Sequence, residues 1–516
     1  MRDRVAVIGQ NGTGKTTLFE IISGNISPDS GVISIRKGTT IGYLKQDINP
    51  SSGRQLLEEV AKSSTSINHL SHKIQLLQEE LTEEQDKEDI DVMLRELGEL
   101  QHAFEASGGY DAEHEARIIL SGLGFAESDF SRPLSEFSGG WRIRVELAKL
   151  LFLNPDLLIL DEPTNHLDIE STRWLEEYLQ ATDRSFIVVS HDRSFLAAAT
   201  AEIWELRFGK LEFYSGGLEK YLTERAARRT QHEHLYRHQQ AEIKRLEEFV
   251  RRNMAGQKTK QAQSKLKYLD RIKRLDPPRG DGRAARIDVT SSGRSWAHLL
   301  AVDDLSLGYG ANIVVRGLSF DVYRGDKVGI IGRNGSGKST LLKTLVGQLA
   351  PARGEIRLGH QVEVAYFDQE LSDLNPESTV LDSLWEMDPQ AVVGKIRSYL
   401  ARFGFSDEDP FKLISSLSGG EKTKLSLARL LYHPANFIIF DEPTNHLDMD
   451  SRERLEEALI EYDGSCLIVS HDRYFLDKVV GRVLYLKDGA ATVYDGNYAY
   501  FREKTEAVEE TPTVRP

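Results

Sequence analysis

Two adjacent carboxylates head the string Asp161-Glu162-Pro163-Thr164-Asn165-His166-Leu167-Asp168, and the same eight letters return as Asp441-Glu442-Pro443-Thr444-Asn445-His446-Leu447-Asp448, 280 positions later. Each copy follows an apolar run, Leu157-Leu158-Ile159-Leu160 or Phe437-Ile438-Ile439-Phe440. Such a run reads as a strand buried on both faces of a parallel sheet. The acids then emerge at a strand's carboxyl end, where open α/β sheets bind ligands. Two carboxylates there suit one metal and one attacking water.

A second pair of motifs supplies phosphate chemistry. Gly9-Gln10-Asn11-Gly12-Thr13-Gly14-Lys15-Thr16, followed by Thr17, joins the apolar Val5-Ala6-Val7-Ile8 to a helical run from Leu18. Gly332-Arg333-Asn334-Gly335-Ser336-Gly337-Lys338-Ser339, followed by Thr340, does the same after Val328-Gly329-Ile330-Ile331. These are P-loops in strand-loop-helix context. The glycines let backbone N–H groups and a helix N-terminus face phosphate oxygens, Lys15 and Lys338 add positive charge, and Thr16 and Ser339 offer hydroxyls to Mg²⁺.

Three further features recur in matched order. Gln46 and Gln369 close short strands, each 31 positions after its lysine, where an amide reaches a metal or its water. Ser138-Gly139-Gly140 and Ser418-Gly419-Gly420 each open an amphipathic helical run 23 positions before the first aspartate. Taken singly each reads as a serine helix cap, and as a pair they offer a second anion site. His191 and His471 stand 30 positions after Asp161 and Asp441, each within Ser-His-Asp-Arg at a strand end.

The order P-loop, glutamine, Ser-Gly-Gly, Asp-Glu and Ser-His-Asp resembles the ATP-binding cassette superfamily, and the duplicated octet resembles its ABC-F branch of tandem ATPases that act on ribosomes. The resemblance implies an α/β fold with two P-loop cassettes that pair within one chain on two molecules of ATP. It implies composite sites. Lys15, Thr16, Gln46, Asp161, Glu162 and His191 would face Ser418, Gly419 and Gly420; Lys338, Ser339, Gln369, Asp441, Glu442 and His471 would face Ser138, Gly139 and Gly140. Asp161 and Asp441 would support Mg²⁺, Glu162 and Glu442 would polarise the attacking water, and the histidines would contact the terminal phosphate.

The repeat also shows what must position these residues. Its offset is 323 up to the glutamines and 280 from Ser138 onward, so the first copy holds 43 extra residues. Their expected body, residues 55 to 107, has helical apolar spacing on both sides of the acidic run from Glu83 to Asp89, which predicts a two-helix arm. By resemblance this arm touches the ribosome. Residues 299 to 323, which include an aromatic candidate for stacking adenine, Tyr309, have no counterpart ahead of the first P-loop strand. The first cassette is therefore expected to lack its opening strands, through truncation or a late start.

Between the cassettes, residues 224 to 286 carry 18 Lys or Arg against 8 Asp or Glu, in a chain of net charge −15. Glu224 to Met254 reads as one helix, roughly 45 Å long at ~1.5 Å per residue; Gly256 breaks it, and a second helix runs from Lys258 to Leu275. Arg251, Arg252, Lys258, Lys260, Lys265 and Lys267 flank the break, and one-sign charge on an acidic body is a footprint for a polyanion. The resemblance points this linker at rRNA and at tRNA in the peptidyl site. The expected division is cassette one at 1–223, linker at 224–298, cassette two at 299–504 and a disordered tail at 505–516.

Composition bounds the rest. A chain of 516 residues, 40% hydrophobic and 28% charged, suits roughly three to four ordinary domains. No apolar run approaches the ~18 residues of a membrane span. Met1 is followed by Arg2-Asp3-Arg4 rather than a signal peptide, so a cytoplasmic protein is expected, and cassettes that pair within one chain imply a monomer without a membrane partner. The single cysteine, Cys466, excludes internal disulfides and reads as a core residue. Two rival readings keep the same cassettes: a transporter ATPase, which leaves the basic linker unexplained, and a DNA-associated ATPase, which would need longer coiled arms or zinc cysteines.

Overall fold

The computed structural model describes residues 2–45, 53–63, 73–74, 77, 81, 87–106, 111–254, 258–275, 287, 297–310, 312–368 and 374–509. Gln46, Gln369 and most of the arm's expected first helix lie outside them.

In chain order the first cassette comprises β1 (Arg4–Ile8), α1 (Lys15–Ile22), β2 (Ile41–Leu44), α2 (Leu56–Ala61), α3 (Lys87–Ala106), α4 (Ala112–Gly122), α5 (Gly139–Leu153), β3 (Leu157–Asp161), α6 (Ile169–Ala181), β4 (Ser185–Val189), α7 (Arg193–Ala199), β5 (Glu202–Arg207) and β6 (Lys210–Ser215). Its sheet runs β2-β3-β4-β1-β5-β6, parallel except for the last pair. The apolar run of β3 is buried because parallel neighbours flank it and helices cover it. Two helices follow, α8 (Gly217–Asn253) and α9 (Thr259–Arg271), which pack on one another.

The second cassette opens with β7 (His298–Tyr309) and β8 (Asn312–Tyr323), then β9 (Lys327–Gly332), α10 (Lys338–Leu345), β10 (Arg353–Leu358), β11 (Val364–Phe367), α11 (Val380–Trp385), α12 (Val393–Arg402) and α13 (Gly419–Leu430). It closes with β12 (Phe437–Asp441), α14 (Met449–Glu461), β13 (Ser465–Val469), α15 (Arg473–Val479), β14 (Arg482–Lys487), β15 (Ala490–Tyr494) and α16 (Tyr498–Glu509). Its main sheet, β11-β12-β13-β9-β14-β15, repeats the first. Cys466 is fully buried on β13, as a core residue should be.

Among the described residues the two cassettes differ in what covers the main sheet. In cassette two an antiparallel sheet, β10-β7-β8, lays Leu300, Val302, Leu305 and Val322 over the main sheet. In cassette one the counterpart of β10, residues 30–35, forms no strand, and Val32 is 92% exposed. A strand needs a partner for its backbone groups and for one face, and among the described residues none is offered.

Three expected boundaries shift. Helix α2 belongs to the cassette body: Leu56 and Val60 are fully buried, and the bridge Gln55 to Pro133 matches Thr379 to Leu413 ahead of α11. The insertion therefore begins after Ala61 rather than at 55. Helix α8 starts at Gly217, because Leu218 and Tyr221 pack into cassette one, so residue 223 falls inside it. Residues 505–509 are helical rather than a disordered tail; Thr505 donates to Phe501 O at 3.1 Å, and Glu506 pairs with Arg173 at 2.8 Å.

Candidate active site

Both P-loops sit between the central strand of the sheet and a helix, as phosphate binding requires. Gly14 and Gly337 stand at φ of 97° and 98° as N-caps of α1 and α10, a conformation that costs other residues strain. Gly9 and Gly332 are demanded by crowding, since a Cβ there would lie 2.5 or 2.6 Å from the carbonyl oxygen of Leu206 or Leu486. Gly12 and Gly335 also hold positive φ. Lys15 Nζ donates to Gly9 O at 2.8 Å and Gln10 O at 3.0 Å, and Lys338 Nζ to Gly332 O at 2.6 Å and Arg333 O at 3.0 Å. Burial holds both ammonium groups below their ordinary pKa. A ligand phosphate would restore what burial costs them. Thr17 is exposed on α1, whereas Thr340 is buried on α10.

The carboxylates stand where the sequence put them, at the ends of β3 and β12. Thr16 Oγ1 donates to Asp161 Oδ2 at 2.9 Å, and the Ser339 hydroxyl stands near the Asp441 carboxyl and favours its ionised form. A hydroxyl and a carboxylate side by side are hard oxygen donors, a set that fits Mg²⁺ with phosphate completing it. Glu162 and Glu442 adopt left-handed φ of 51° and 50°, strain of the kind that clusters at reacting centres. Their Oε2 atoms accept the backbone N–H of His191 at 3.3 Å and His471 at 3.2 Å. Their Oε1 atoms, and Nδ1 of both imidazoles, are buried without an aligned hydrogen bond. Each Oε1 lies beside the imidazole Nε2 of the same histidine, at 3.3 Å for Glu162 and 3.5 Å for Glu442, and buried polar atoms left without an aligned hydrogen bond at two matched places fit a pocket built for a polar ligand and its water.

Burial sets the electrostatics. It pushes both glutamate carboxyls up to about 7, although Arg452 and Lys15 pull Glu162 down and Lys338 pulls Glu442 down. The same burial, aided by neighbouring cations, holds the imidazoles of His191 and His471 well below their ordinary value, so both are neutral. A carboxyl poised near 7 is matched to proton transfer from water.

The cassettes meet head to tail. A cavity of about 470 Å³ is lined from cassette two by Lys338, Ser339, Asp441, Glu442 and His471, and from cassette one by Ser138 and Gly140. Tyr309 stands at its rim, 58% exposed, where an adenine ring could stack. Asn334 N donates to Asp168 Oδ2 at 3.1 Å across the junction. The other composite site closes the same way: Asn11 Nδ2 donates to His446 O at 3.0 Å, and a Cβ on Gly420 would meet that amide. Ser418 and Gly419 begin α13 beside it.

Several residues of the junction escaped the sequence reading. Arg193 Nη1 lies 3.6 Å from Glu456, and its repeat counterpart Arg473 bonds Glu176, the counterpart of Glu456. Arg452 donates from one nitrogen to His191 O and to Asp472, at 2.9 Å each. Arg144, 2% exposed, donates to His166 O and Leu123 O at 2.8 Å each. The duplicated arginine after Ser-His-Asp was a signal for the first pair; the others have none in the repeat. Far from both sites, Arg251 and Arg252 end α8 while Lys258, Lys260, Lys265 and Lys267 lie at the start of α9; all but Lys265 are exposed, and Lys265 Nζ stands 3.8 Å from the Phe249 ring centre.

A family model described as ABC transporter matches residues 2–165 and 315–445, and another of the same description matches 204–287. YdiF of Bacillus subtilis (strain 168), an ATP-binding protein by name, is 41% identical over 98% of this chain and 79% of its own. ABC transporter F family member 2 of Arabidopsis thaliana is 36% identical over 97% of this chain and 75% of its own. A solved chain from a model of ribosome-bound archaeal Pelota and ABCE1 shares the fold at a TM-score of 0.58 and 19% identity, over 98% of this chain and 76% of that one. With two P-loop sites, paired carboxylates and these relatives, the chain belongs to the ABC-F family of tandem ATP-binding cassette proteins and is an ATPase.

Proposed function

We propose that this ATPase uses closure of its cassettes on ATP to engage the ribosome beside peptidyl-site tRNA, and hydrolysis to let go. One observation carries the reading. Arg225, near the root of α8, lies 3.1 Å from Glu205 of cassette one and 3.1 Å from Asp450 of cassette two, and Asp450 accepts from Gln10 of the first P-loop at 3.5 Å. The helix that bears the basic tip is thus held by both cassettes, next to a nucleotide site. At 37 residues α8 carries that tip roughly 55 Å from its root.

Within each site, Lys15 or Lys338 and the loop N–H groups would hold the phosphates, with Thr16 and Asp161, or Ser339 and Asp441, supporting Mg²⁺. Bound Mg²⁺ would neutralise the developing phosphate charge. Glu162 and Glu442 would orient and deprotonate the attacking water, His191 and His471 would position the terminal phosphate, and Ser138 or Ser418 would meet it from the opposite cassette. The relative of similar fold that is named as ribosome-bound, and the polyanion-seeking charge of Arg251 to Lys267, support the ribosome as partner. Among the described residues no helix is long and apolar enough to cross a membrane.

The test is sedimentation with ribosomes of Glu162→Gln combined with Glu442→Gln. With ATP the variant is expected to pellet with ribosomes more than the wild type, and ADP is expected to abolish the difference. Failure of both proteins to pellet in either nucleotide would overturn the ribosomal reading.

A further inference from the structure

The two Ser-Gly-Gly helices are not capped alike. In cassette two Ser418 is the N-cap of α13 and Glu421 is three residues on; Glu421 Oε2 accepts Ser418 N–H at 2.8 Å and Ser418 Oγ–H at 2.7 Å. Ser418 Oγ in turn accepts Glu421 N–H at 3.4 Å, completing a capping box. In cassette one the residue at that place is Trp141, which cannot accept. Ser138 makes no side-chain cap bond, and Trp141 lies instead against Phe125, ring centres 4.8 Å apart, under the Arg144 guanidinium at 4.4 Å. Ser138 and Trp141 both line the cavity that holds Lys338. One helix start is therefore open to an anion from the opposite P-loop, and the other already holds one of its own.

We infer that Glu421 is a positioning residue that competes with the terminal phosphate of ATP for Ser418, so that the site carrying Lys15 closes on ATP less readily than the site carrying Lys338. The inference rests on the composite-site reading above. The competition is electrostatic and local. The donors that would meet a phosphate, Ser418 N–H and Oγ–H, are committed to a carboxylate, and that carboxylate also screens the positive end of α13. ATP must displace one anion with another at Ser418, whereas at Ser138 it meets unclaimed donors. ADP, one phosphate shorter, does not reach the serine, so the effect falls on the preference for ATP over ADP rather than on nucleotide binding as such. A glutamate that served only to cap α13 would shift both nucleotides together.

The experiment measures MgATP and MgADP competing with a fluorescent ATP analogue in a Lys338→Ala background, where the Lys15 site alone keeps its P-loop amine. Glu421→Gln keeps the cap's shape and removes its charge; it is expected to raise the preference for ATP over ADP by roughly three- to tenfold. Ser418→Ala is expected to lower that preference. In a Lys15→Ala background the reciprocal Trp141→Glu is expected to lower it at the Lys338 site, with Trp141→Gln separating the loss of ring packing from added charge and thermal melting confirming the fold. An unchanged ratio in Glu421→Gln while Ser418→Ala lowers it would overturn the inference and leave the composite sites standing. No response to either substitution would show that Ser418 does not meet nucleotide, and both would fall.

Discussion

Arg473 of cassette two donates through two guanidinium nitrogens to the carboxylate of Glu176 in cassette one, and Glu176 is only 6% exposed. The repeat mate of this contact, Arg193 with Glu456, crosses the junction in the opposite sense at 3.6 Å. Two such pairs make closure a matched event, because opening the junction exposes four charges that were paired inside it.

Removing one partner leaves the other buried and unpaired, a cost on the order of 3–5 kcal/mol when no water reaches it. Arg473→Ala is therefore expected to lower ATP turnover at least tenfold with little change in the melting of either cassette. Glu176→Ala is expected to do the same, and the double variant to lose less than the two single effects combined. A double-mutant cycle on turnover measures this. Additive effects would mean the pair is not coupled to closure.

The placement of the candidate site residues on the fold was legible in the sequence, apart from Gln46 and Gln369, which lie outside the described residues, and the junction was not, for a physical reason. Phosphate and Mg²⁺ accept few residue types, and strand-loop-helix geometry fixes their spacing, so Lys15, Asp161 and Glu162 could be read from order alone. Arg473 and Glu176 are nearly 300 positions apart and only have to be complementary, which leaves no local pattern. Helix limits failed where packing overrode the helical pattern: Tyr221 is buried against cassette one, so α8 begins before its basic stretch, and Phe501 packs on Tyr485 and Tyr494, so α16 outlasts the expected end. Leu56 and Val60 read as arm but pack as core. The cap at Glu421 was available as Ser-x-x-Glu, and was hidden by the stronger meaning of Ser-Gly-Gly.

The raised carboxyls predict a pH signature. Glu162 and Glu442 lose their protons near 4.5 in the unfolded chain and only at about 7 in the fold. Between those values the fold keeps protons the unfolded chain has released, so this pair's contribution to stability falls as pH rises from 4.5 to 7, then levels off. Without nucleotide, Glu162→Gln with Glu442→Gln is expected to melt near the wild type at pH 4.5 and increasingly above it up to pH 7, with a constant gain beyond. His191 and His471, held low, remove stability in both proteins as pH falls below their ordinary range, a slope opposite in sign to that of the carboxyls. Melting curves across pH decide it, and a gain independent of pH would mean the carboxyls are ionised throughout.

Adenine contact at the second nucleotide site can be tested by itself. Tyr309 stands at the rim of the cavity with Lys338. An aromatic stack is worth ~0.5–1.5 kcal/mol. Tyr309→Ala is expected to weaken ATP and ADP alike by roughly two- to tenfold at the Lys338 site, and to leave the Lys15 site unchanged. Titration in backgrounds where one P-loop lysine is replaced by Ala reads the sites separately. An equal effect at both would show that Tyr309 acts on the closed junction rather than on adenine.

The linker tip gives the last test, because its charge is placed where no nucleotide chemistry can use it. Arg251, Arg252, Lys258, Lys260 and Lys267 are exposed, and Lys265 rests on Phe249, which orients its ammonium without neutralising it. Replacing all six with Gln keeps helix propensity while removing six charges. Every ion pair with a phosphate that disappears is expected to flatten the dependence of binding on salt, by roughly 0.7–0.9 in log–log slope as found for nucleic acid strands. Ribosome affinity is expected to fall steeply at low salt and less at physiological salt, where those ion pairs were already weaker. ATP hydrolysis without ribosomes is expected to stay near the wild-type rate, since the tip lies a helix length from either P-loop, whereas any stimulation by ribosomes is expected to vanish. If the six-fold variant binds ribosomes with the affinity and salt slope of the wild type, the hairpin is a spacer, and the inserted arm that follows Ala61 becomes the surface to test.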